Sequence, residues 1–243
     1  YSANELYPMF DRLPDALLRF LLHCVNMIPA SDRKVGFDYK AKRFFEGVLL
    51  HDIAKAHAYW RVIVPPHERT KLLKNVMQED AYAVYYDLLY DKGRSAESRA
   101  LADLTTWLPN NNLMRADIFS MCNSLEVRVP LLDLPLVQYM LRIPFAIRFK
   151  NGRKKYLLKK VLEDKLERRL IHRKKAGWHM PLAPWLKKGL YTYCADTFSS
   201  HHALFDTILK RDHCLSLLNE HKRGMQNNSF KLWGILVLLK HTA

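Results

Sequence analysis

The sequence predicts a mainly α-helical protein, because apolar side chains recur at helical spacing along most of the chain while strand-like alternation is rare. The 243 residues are 49% hydrophobic, which is enough to bury a sizeable core. We expect a single domain over residues 1–243, although this length also permits two small domains. No internal repeat or low-complexity segment interrupts the pattern.

The first third of the chain is predicted to form short helices separated by proline and turn signals. Residues 3–28 carry apolar positions at helical spacing and are interrupted at Pro14, which predicts two packed helices. The pair Pro65-Pro66 predicts a firm break. Three more helices are predicted, over residues 37–50, 51–62 and 66–77.

Helical signals continue in the rest of the chain. A helix is predicted from Ser95 to Trp107, and residues 108–114 predict a turn followed by a new helix start. Gly224 is expected to end a later helix. The nearly all-apolar run 232–239 predicts a buried helix.

Residues 124–133, Ser-Leu-Glu-Val-Arg-Val-Pro-Leu-Leu-Asp, have a strand-like pattern. In extended backbone, side chains alternate between two faces, so Glu126 and Arg128 should share one face while the leucine and valines at 125, 127 and 129 face a core. Pro130 has no backbone N–H and would end any β-sheet hydrogen bonding, and Asp133 would cap a following helix. Spacing alone favours an ordinary exposed ion pair between Glu126 and Arg128 over a functional site.

Composition excludes several classes of site. The eight glycines are never closer together than ten positions, which excludes a Gly-rich phosphate loop within this chain. Four widely separated cysteines without a C-x-x-C pair favour a reducing, cytoplasmic setting. The histidines show no ligand spacing, so no metal site is expected. No apolar run approaches the length of about 20 residues that a membrane-spanning helix needs.

The net charge of +15 is concentrated in one window. Residues 148–175 contain thirteen Lys or Arg against three acids. We therefore expect an anionic ligand near this window, either nucleotide phosphates, nucleic acid or an acidic partner. A solvated Lys-rich face would look the same in the sequence.

The segment 124–133 resembles the S-L-E-x-R-x-P-F-L-D box in the C-terminal synthetase domain of glutamine-hydrolysing asparagine synthetases. The resemblance covers most of the chain and is strongest over residues 108–181. Residues 115–121 resemble the family's x-x-D-R-x-S-M, with Ile118 in place of the usual Arg. Further likenesses are K-Y-x-L-R at 155–159, R-x-K-x-G-F-x-x-P at 173–181 and E-H-x-x-G at 220–224, with Lys159 and Trp178 as departures.

The resemblance implies a fold and an incomplete nucleotide site. The implied fold is the helical C-terminal portion of an adenine-nucleotide alpha-hydrolase-like (ATP pyrophosphatase) α/β domain. The family's Ser-Gly-Gly-x-Asp-Ser pyrophosphate loop is absent from these residues. We therefore expect the N-terminal part of the same polypeptide to carry this loop and the metal-binding acids, and expect residues 1–243 alone to be inactive. A homo-oligomer is possible.

The implied reaction is the ATP-dependent amidation of aspartate to asparagine through a β-aspartyl-adenylate, with nitrogen from glutamine or ammonia and with ATP and Mg²⁺ required. Glu126 would be the general base and Lys175 the cation that reaches the phosphates. Arg128, Lys155 and Arg173 would contribute to substrate or ATP binding.

Three alternatives remain open at this level. Ile118 permits a related enzyme that acts on another carboxylate, such as a beta-lactam synthetase or an amidotransferase. The basic window permits a helical nucleic-acid-binding module, which we consider the weaker interpretation. A degenerate domain that only supports a partner is the third.

Overall fold

The computed structural model describes residues 2–32, 36–75, 95–150, 153–173 and 180–242. Within these ranges the backbone is predominantly helical, and β pairing is limited to the isolated bridges Leu73–Leu209 and Lys150–Arg153. The prediction of a mainly α fold is confirmed. Contacts divide the chain into a first unit, residues 3–81 and 178–243, and a second unit, residues 82–177.

The described helices follow the chain from α1 to α16. They are α1 Ser2–Phe10, α2 Asp15–Asn26, α3 Phe37–Val48, α4 Ile53–Tyr59, α5 Pro66–Leu72, α6 Ala96–Ala102, α7 Met114–Met121, α8 Leu134–Arg142, α9 Phe145–Arg148, α10 Tyr156–Leu162, α11 Arg168–Ile171, α12 Leu182–Lys187, α13 Tyr191–Ser199, α14 Ala203–Thr207, α15 Arg211–Lys222 and α16 Ser229–His241. A π-helix, Asp103–Leu113, joins α6 to α7, and a 3-10 turn, Pro130–Leu132, precedes α8. None of these described helices is long and apolar enough to cross a membrane.

Local chemistry explains the helix boundaries of the first unit. Pro14 separates α1 from α2, and Pro66 occupies the first position of α5, where its missing N–H costs nothing. Asp52 caps α4, because its Oδ1 accepts hydrogen bonds from Ala54 N at 2.8 Å and Lys55 N at 3.2 Å. The predicted helices at 3–28, 37–50 and 51–62 are confirmed to within a few residues. The helix predicted over 66–77 begins at Pro66 but ends at Leu72, where Leu73 turns to extended backbone, and residues 76–77 lie outside the described residues.

Two apolar clusters form the core of the first unit. The smaller one packs Leu18 and Val48 against a group of aromatic rings in T-shaped and stacked contacts, namely Phe10, Phe44, Phe45 and Trp60. The larger one gathers α12 to α16 around the fully buried Phe198. In α16, one face is buried and Val237 and Leu238 are exposed, so the predicted buried helix exists but is covered on one side only.

His221, on α15, is a polar group inside the larger cluster and has no solvent exposure. Its Nε2 lies 3.0 Å from Ala183 O, and its Nδ1 lies 3.3 Å from Asn228 N and 3.4 Å from Gln226 O. In the neutral ring that donates from Nε2 to Ala183 O, Nδ1 accepts from Asn228 N. Burial lowers the pKa of this imidazole, which is therefore neutral in the folded chain. His221 thus connects α12, α15 and the start of α16 through its two ring nitrogens.

The second unit contradicts two predictions made for residues 103–133. Residues 125–129 pair with no strand among the described residues, and Leu125, Val127 and Val129 are 62%, 54% and 44% exposed. The predicted core-facing strand is therefore wrong, because alternation buries a face only where a neighbouring strand or helix covers it.

The predicted turn at 108–114 is also wrong, since the chain stays helical through the π-helix. Pro109 lies inside it and has no N–H to donate, and side chains supply further hydrogen bonds to the backbone. Thr106 Oγ1 donates to Ala102 O at 2.5 Å, and Asn110 Nδ2 donates to Thr106 O at 2.9 Å.

We expect the backbone conformation at position 224 to require glycine. It lies at φ +73° in a Schellman turn, where Gly224 N donates to His221 O and Met225 N donates to Glu220 O. Gly224→Ala should lower the free energy of unfolding by about 1–2 kcal/mol, because any L side chain is strained there. Urea denaturation followed by circular dichroism measures this.

Gly234→Ala is the matched control. An added Cβ at position 234 in α16 meets nothing within 4 Å, so this variant should gain about 0.5–1 kcal/mol. Equal effects of the two substitutions would contradict the assignment of the cost at position 224 to backbone conformation.

Stability should fall in mild acid. Because the folded chain holds His221 at a lowered pKa, the unfolded chain binds more protons below about pH 6.5. The pKa of His213 is also lowered by burial and acts with the same sign. The unfolding free energy, measured between pH 7.5 and 5.5, should therefore decrease, with a smaller pH slope in His221→Gln. An unchanged slope in that variant would assign the acid sensitivity to other groups.

Candidate functional site

The segment that carries the predicted acid begins with a strained turn. Ser124 adopts φ +57° and completes a Schellman turn after α7, in which Ser124 N donates to Met121 O at 2.9 Å and Leu125 N to Ser120 O at 3.0 Å. A non-glycine residue in this region costs about 1–2 kcal/mol. Such strain is common where a backbone must present a functional group. Here it turns the chain out of α7 just before Glu126.

Glu126 and Arg128 form a close ion pair on this segment, with Arg128 Nη2 donating to Glu126 Oε1. Their side chains are 69% and 84% exposed, so water screens the pair and it adds little to stability. The exposed pair that spacing alone allowed is therefore present. The carboxylate remains open to a substrate, with one cation beside it.

Asp133 does not cap α8 with its side chain. It occupies the N-cap position, but its carboxylate accepts no capping hydrogen bond. A cap oxygen normally takes the N–H of the second or third helical residue, and the second residue here is Pro135, which has none. Asp133 therefore occupies the predicted N-cap position, but its side chain does not form the predicted capping hydrogen bond.

The predicted cations lie in the same unit but form no contact with the acid. Lys155 is exposed and adopts φ +57° at the N-cap of α10, and Arg173 is exposed after α11. Within the described part of the chain, no hydrogen bond or ion pair joins Glu126 to Lys155 or Arg173. Lys175 lies outside the described residues, so its convergence with Glu126 stays a prediction.

The second unit contains a basic cavity, and neither Lys155 nor Arg173 is among its lining residues. Its volume is about 850 Å³, and it is lined by Arg153, Lys159, Glu163, Arg168, Arg169, Ile171 and His172. The +10 window in the sequence indicated this region, but it did not distinguish these side chains from the remaining basic residues of the window.

The charge of this basic cavity is only partly compensated. Glu163 accepts a hydrogen bond from Lys160 Nζ at 2.7 Å, which lowers the pKa of its carboxyl, and Arg169 Nε contacts Glu167 at 2.5 Å. Arg153, Lys159 and Arg168 form no ion pair with any other described residue. The basic cavity can therefore attract phosphates or carboxylates.

Two further predictions concern substrate and metal. Ile118 is half exposed on α7, so this position presents an apolar side chain where the resembling family has a cation. Among the residues that the structure describes, no three His, Cys, Asp or Glu side chains gather in a group able to hold a metal ion.

Comparison with known proteins agrees with the motifs. The family model "Asparagine synthase" matches residues 30–242. The chain is 27% identical over 233 residues to "Asparagine synthetase [glutamine-hydrolyzing] 1" of Bacillus subtilis, a match that covers 95% of this chain and 35% of that protein. It is 34% identical over 140 residues to a putative glutamine-hydrolysing asparagine synthetase of Mycobacterium bovis, covering 56% of this chain and 21% of the relative.

The chain thus spans about a third of the length of the Bacillus subtilis relative. No solved structure matches the chain. The family match includes Glu126, Arg128 and the basic cavity. Because this match covers most of the residues, the chain belongs to the asparagine synthase family.

Proposed function

We propose that this chain contributes the amidation half of an ATP-dependent asparagine synthetase. In the first step, a β-carboxylate oxygen of aspartate attacks the α-phosphorus of ATP, an O–P bond forms, and pyrophosphate leaves. In the second step, ammonia attacks the acyl carbon, the adduct loses a proton, and the C–O bond to AMP breaks. Asparagine and AMP are the products, and glutamine or free ammonia supplies the nitrogen.

The observation that carries the proposal is the exposed Glu126–Arg128 pair within the family-matched region. The adduct of ammonia with an acyl carbon carries a positive charge on nitrogen, so a nearby carboxylate is needed to accept a proton. Glu126 is open to a bound acyl group and takes this role. Arg128, which donates to Glu126 Oε1, orients the carboxylate.

Basic side chains stabilise negative charge in the first step, the formation of the adenylate. Charge builds up on the departing pyrophosphate, and a fixed cation stabilises that charge more in the transition state than in the ground state. Lys175 takes this role, with Lys155 and Arg173 as weaker contributors. The partly compensated charge of the basic cavity supports an anionic ligand on this unit. No step is assigned to Mg²⁺, because its ligands are proposed to lie outside the described residues.

Glu126→Gln is expected to separate the two steps. In the complete gene product, aspartate-dependent exchange of pyrophosphate into ATP should continue, while asparagine formation falls by about 10²–10⁴-fold. Since Glu126 is exposed, the unfolding free energy should change by less than about 0.5 kcal/mol. Unchanged amide formation would remove Glu126 from the role of base.

Lys175→Ala is expected to affect the first step instead. Pyrophosphate exchange should fall by about 10²–10³-fold, the usual effect of losing one charge-stabilising group. Lys154→Ala, in the same basic window, is the matched control and should retain exchange.

Residues 1–243 assayed alone should form no asparagine, and full activity of that polypeptide would contradict the proposed division of the site.

The half-exposed Ile118 supports a second candidate substrate class. If aspartate supports no pyrophosphate exchange while another carboxylate does, the chain belongs to an amidotransferase or beta-lactam-synthetase type of reaction. A nucleic-acid-binding role would instead appear as binding to generic DNA that weakens steeply with salt.

A further inference from the structure

The basic cavity of the second unit has a positive charge that its own wall does not neutralise. Its described lining contains four Lys or Arg side chains and one Glu, which give a net charge of +3 with His172 counted as neutral. The two ion-pair partners outside the lining, Lys160 and Glu167, add one charge of each sign and leave this value unchanged. None of the described residues proposed for amidation lines the cavity.

Three basic side chains of the lining have no counter-ion. Arg153, Lys159 and Arg168 form no ion pair or side-chain hydrogen bond with the other described residues. Glu167 contacts Arg169 Nε at 2.5 Å and not the adjacent Arg168. Arg153 and Arg168 are exposed, and Lys159 is partly exposed with an ammonium group that is not buried. All three cationic groups are therefore accessible to a ligand.

The acid of the lining does not neutralise Lys159. Glu163 lies one turn after Lys159, yet it accepts a hydrogen bond from Lys160 Nζ at 2.7 Å. That hydrogen bond is the main cause of the lowered pKa of the Glu163 carboxyl, and His172 and Arg153 lower this pKa further by electrostatic interaction. Residues from both ends of the segment 153–172 thus come within electrostatic range of one carboxylate, which indicates that this segment folds around the cavity.

The concave shape distinguishes this group of charges from a solvated basic face. On a convex surface, like charges point apart and water screens each of them separately. Here they share a cavity of about 850 Å³. A cleft lined by one sign of charge focuses the electric field and raises the local concentration of counter-ions. The arrangement therefore favours a bound anion.

The charge and the lining together indicate the kind of anion. One phosphate group carries about −1.5 to −2 at pH 7, which is less than the cavity requires, so two or more linked phosphates match its charge better. Arginine guanidinium groups bind phosphate oxygens in pairs. The described lining contains no Phe, Tyr or Trp, and Ile171 is its one apolar side chain. It therefore lacks the aromatic platform on which nucleic-acid bases stack.

We propose that the basic cavity binds a polyphosphate group, meaning two or more linked phosphates, carried by an inorganic polyphosphate or by the tail of a nucleotide. Arg153 and Arg168 bind phosphate oxygens through their guanidinium groups, and Lys159 binds them through its ammonium group. This site is additional to the groups proposed for amidation, and its occupancy does not depend on the roles of Glu126 and Lys175.

Isothermal titration calorimetry on the 243-residue chain tests the proposal, with pyrophosphate, orthophosphate and citrate as probes at one fixed ionic strength. Pyrophosphate should bind with one-to-one stoichiometry and at least tenfold more tightly than orthophosphate. Citrate carries three carboxylates but no phosphate, so it should also bind at least tenfold more weakly than pyrophosphate.

Substitutions in the lining should weaken this binding. Lys159→Met and Arg168→Gln should each weaken pyrophosphate binding about tenfold or more, because each removes a charged contact. Lys165→Met is the matched control, since it removes one charge from an exposed position of the same basic window outside the lining. It should change the affinity by less than about threefold, because solvent and salt screen its charge. Circular dichroism shows whether each variant folds.

A second comparison distinguishes the two sources of the phosphates. Tighter binding of ATP than of tripolyphosphate would assign the polyphosphate group to a nucleotide, and equal or weaker binding of ATP would assign it to an inorganic polyphosphate. Both outcomes support the proposal if Lys159→Met weakens the binding.

Three results with these probes would overturn the proposal. They are no binding of pyrophosphate up to about 1 mM, pyrophosphate binding that Lys159→Met and Arg168→Gln both leave unchanged, and equal binding of citrate. Tighter binding of duplex DNA, lost in Lys159→Met, would replace the polyphosphate site by a nucleic-acid surface.

The amidation site is tested separately. Pyrophosphate binding that is lost in Lys175→Ala but not in Lys159→Met would place the phosphates among the amidation residues and overturn the proposal. Failure of the proposed amidation together with intact, Lys159-dependent binding would leave the polyphosphate site standing.

Discussion

The first unit depends on one buried imidazole. His221 has no solvent exposure, and its two nitrogens satisfy Ala183 O on α12 and Asn228 N at the start of α16. A polar group in an apolar core is tolerated only when its hydrogen bonds are satisfied. Here one ring nitrogen donates a hydrogen bond and the other accepts one. A neutral ring with its proton on Nε2 is the form that meets this requirement. The same contacts keep three helices in register around Phe198.

The second unit exposes both apolar and charged side chains. The apolar residues of segment 125–129 are exposed, and the chain through residues 103–113 keeps its helical path with help from side-chain hydrogen bonds. Its charged groups are correspondingly accessible, including Glu126, Arg128 and the lining of the basic cavity. Accessibility suits chemistry on a bound substrate, because a carboxylate buried in a core would have to be neutralised or paired.

The walls of the two cavities differ in their balance of acidic and basic side chains. The basic cavity has an excess of cations, so it attracts anions of many shapes by long-range electrostatics. A second cavity, in the first unit, has three acids and three bases in its wall, and ion pairs within the wall, Lys231–Glu68 and Arg43–Glu46, neutralise much of this charge.

The sequence by itself determined the helical class, several helix boundaries within residues 3–66 together with the helix end at Gly224, and the family, because these depend on local signals. Pro14, Asp52 and Gly224 act through their own backbone or through neighbours two or three residues away. It also named Glu126 and Arg128 from their motif. Tertiary structure decided whether Leu125 and Val127 are covered, since burial depends on what packs against them. Only tertiary structure could bring Asp38 and Lys231 into the wall of one cavity, because they are nearly two hundred positions apart and no local pattern links their charges.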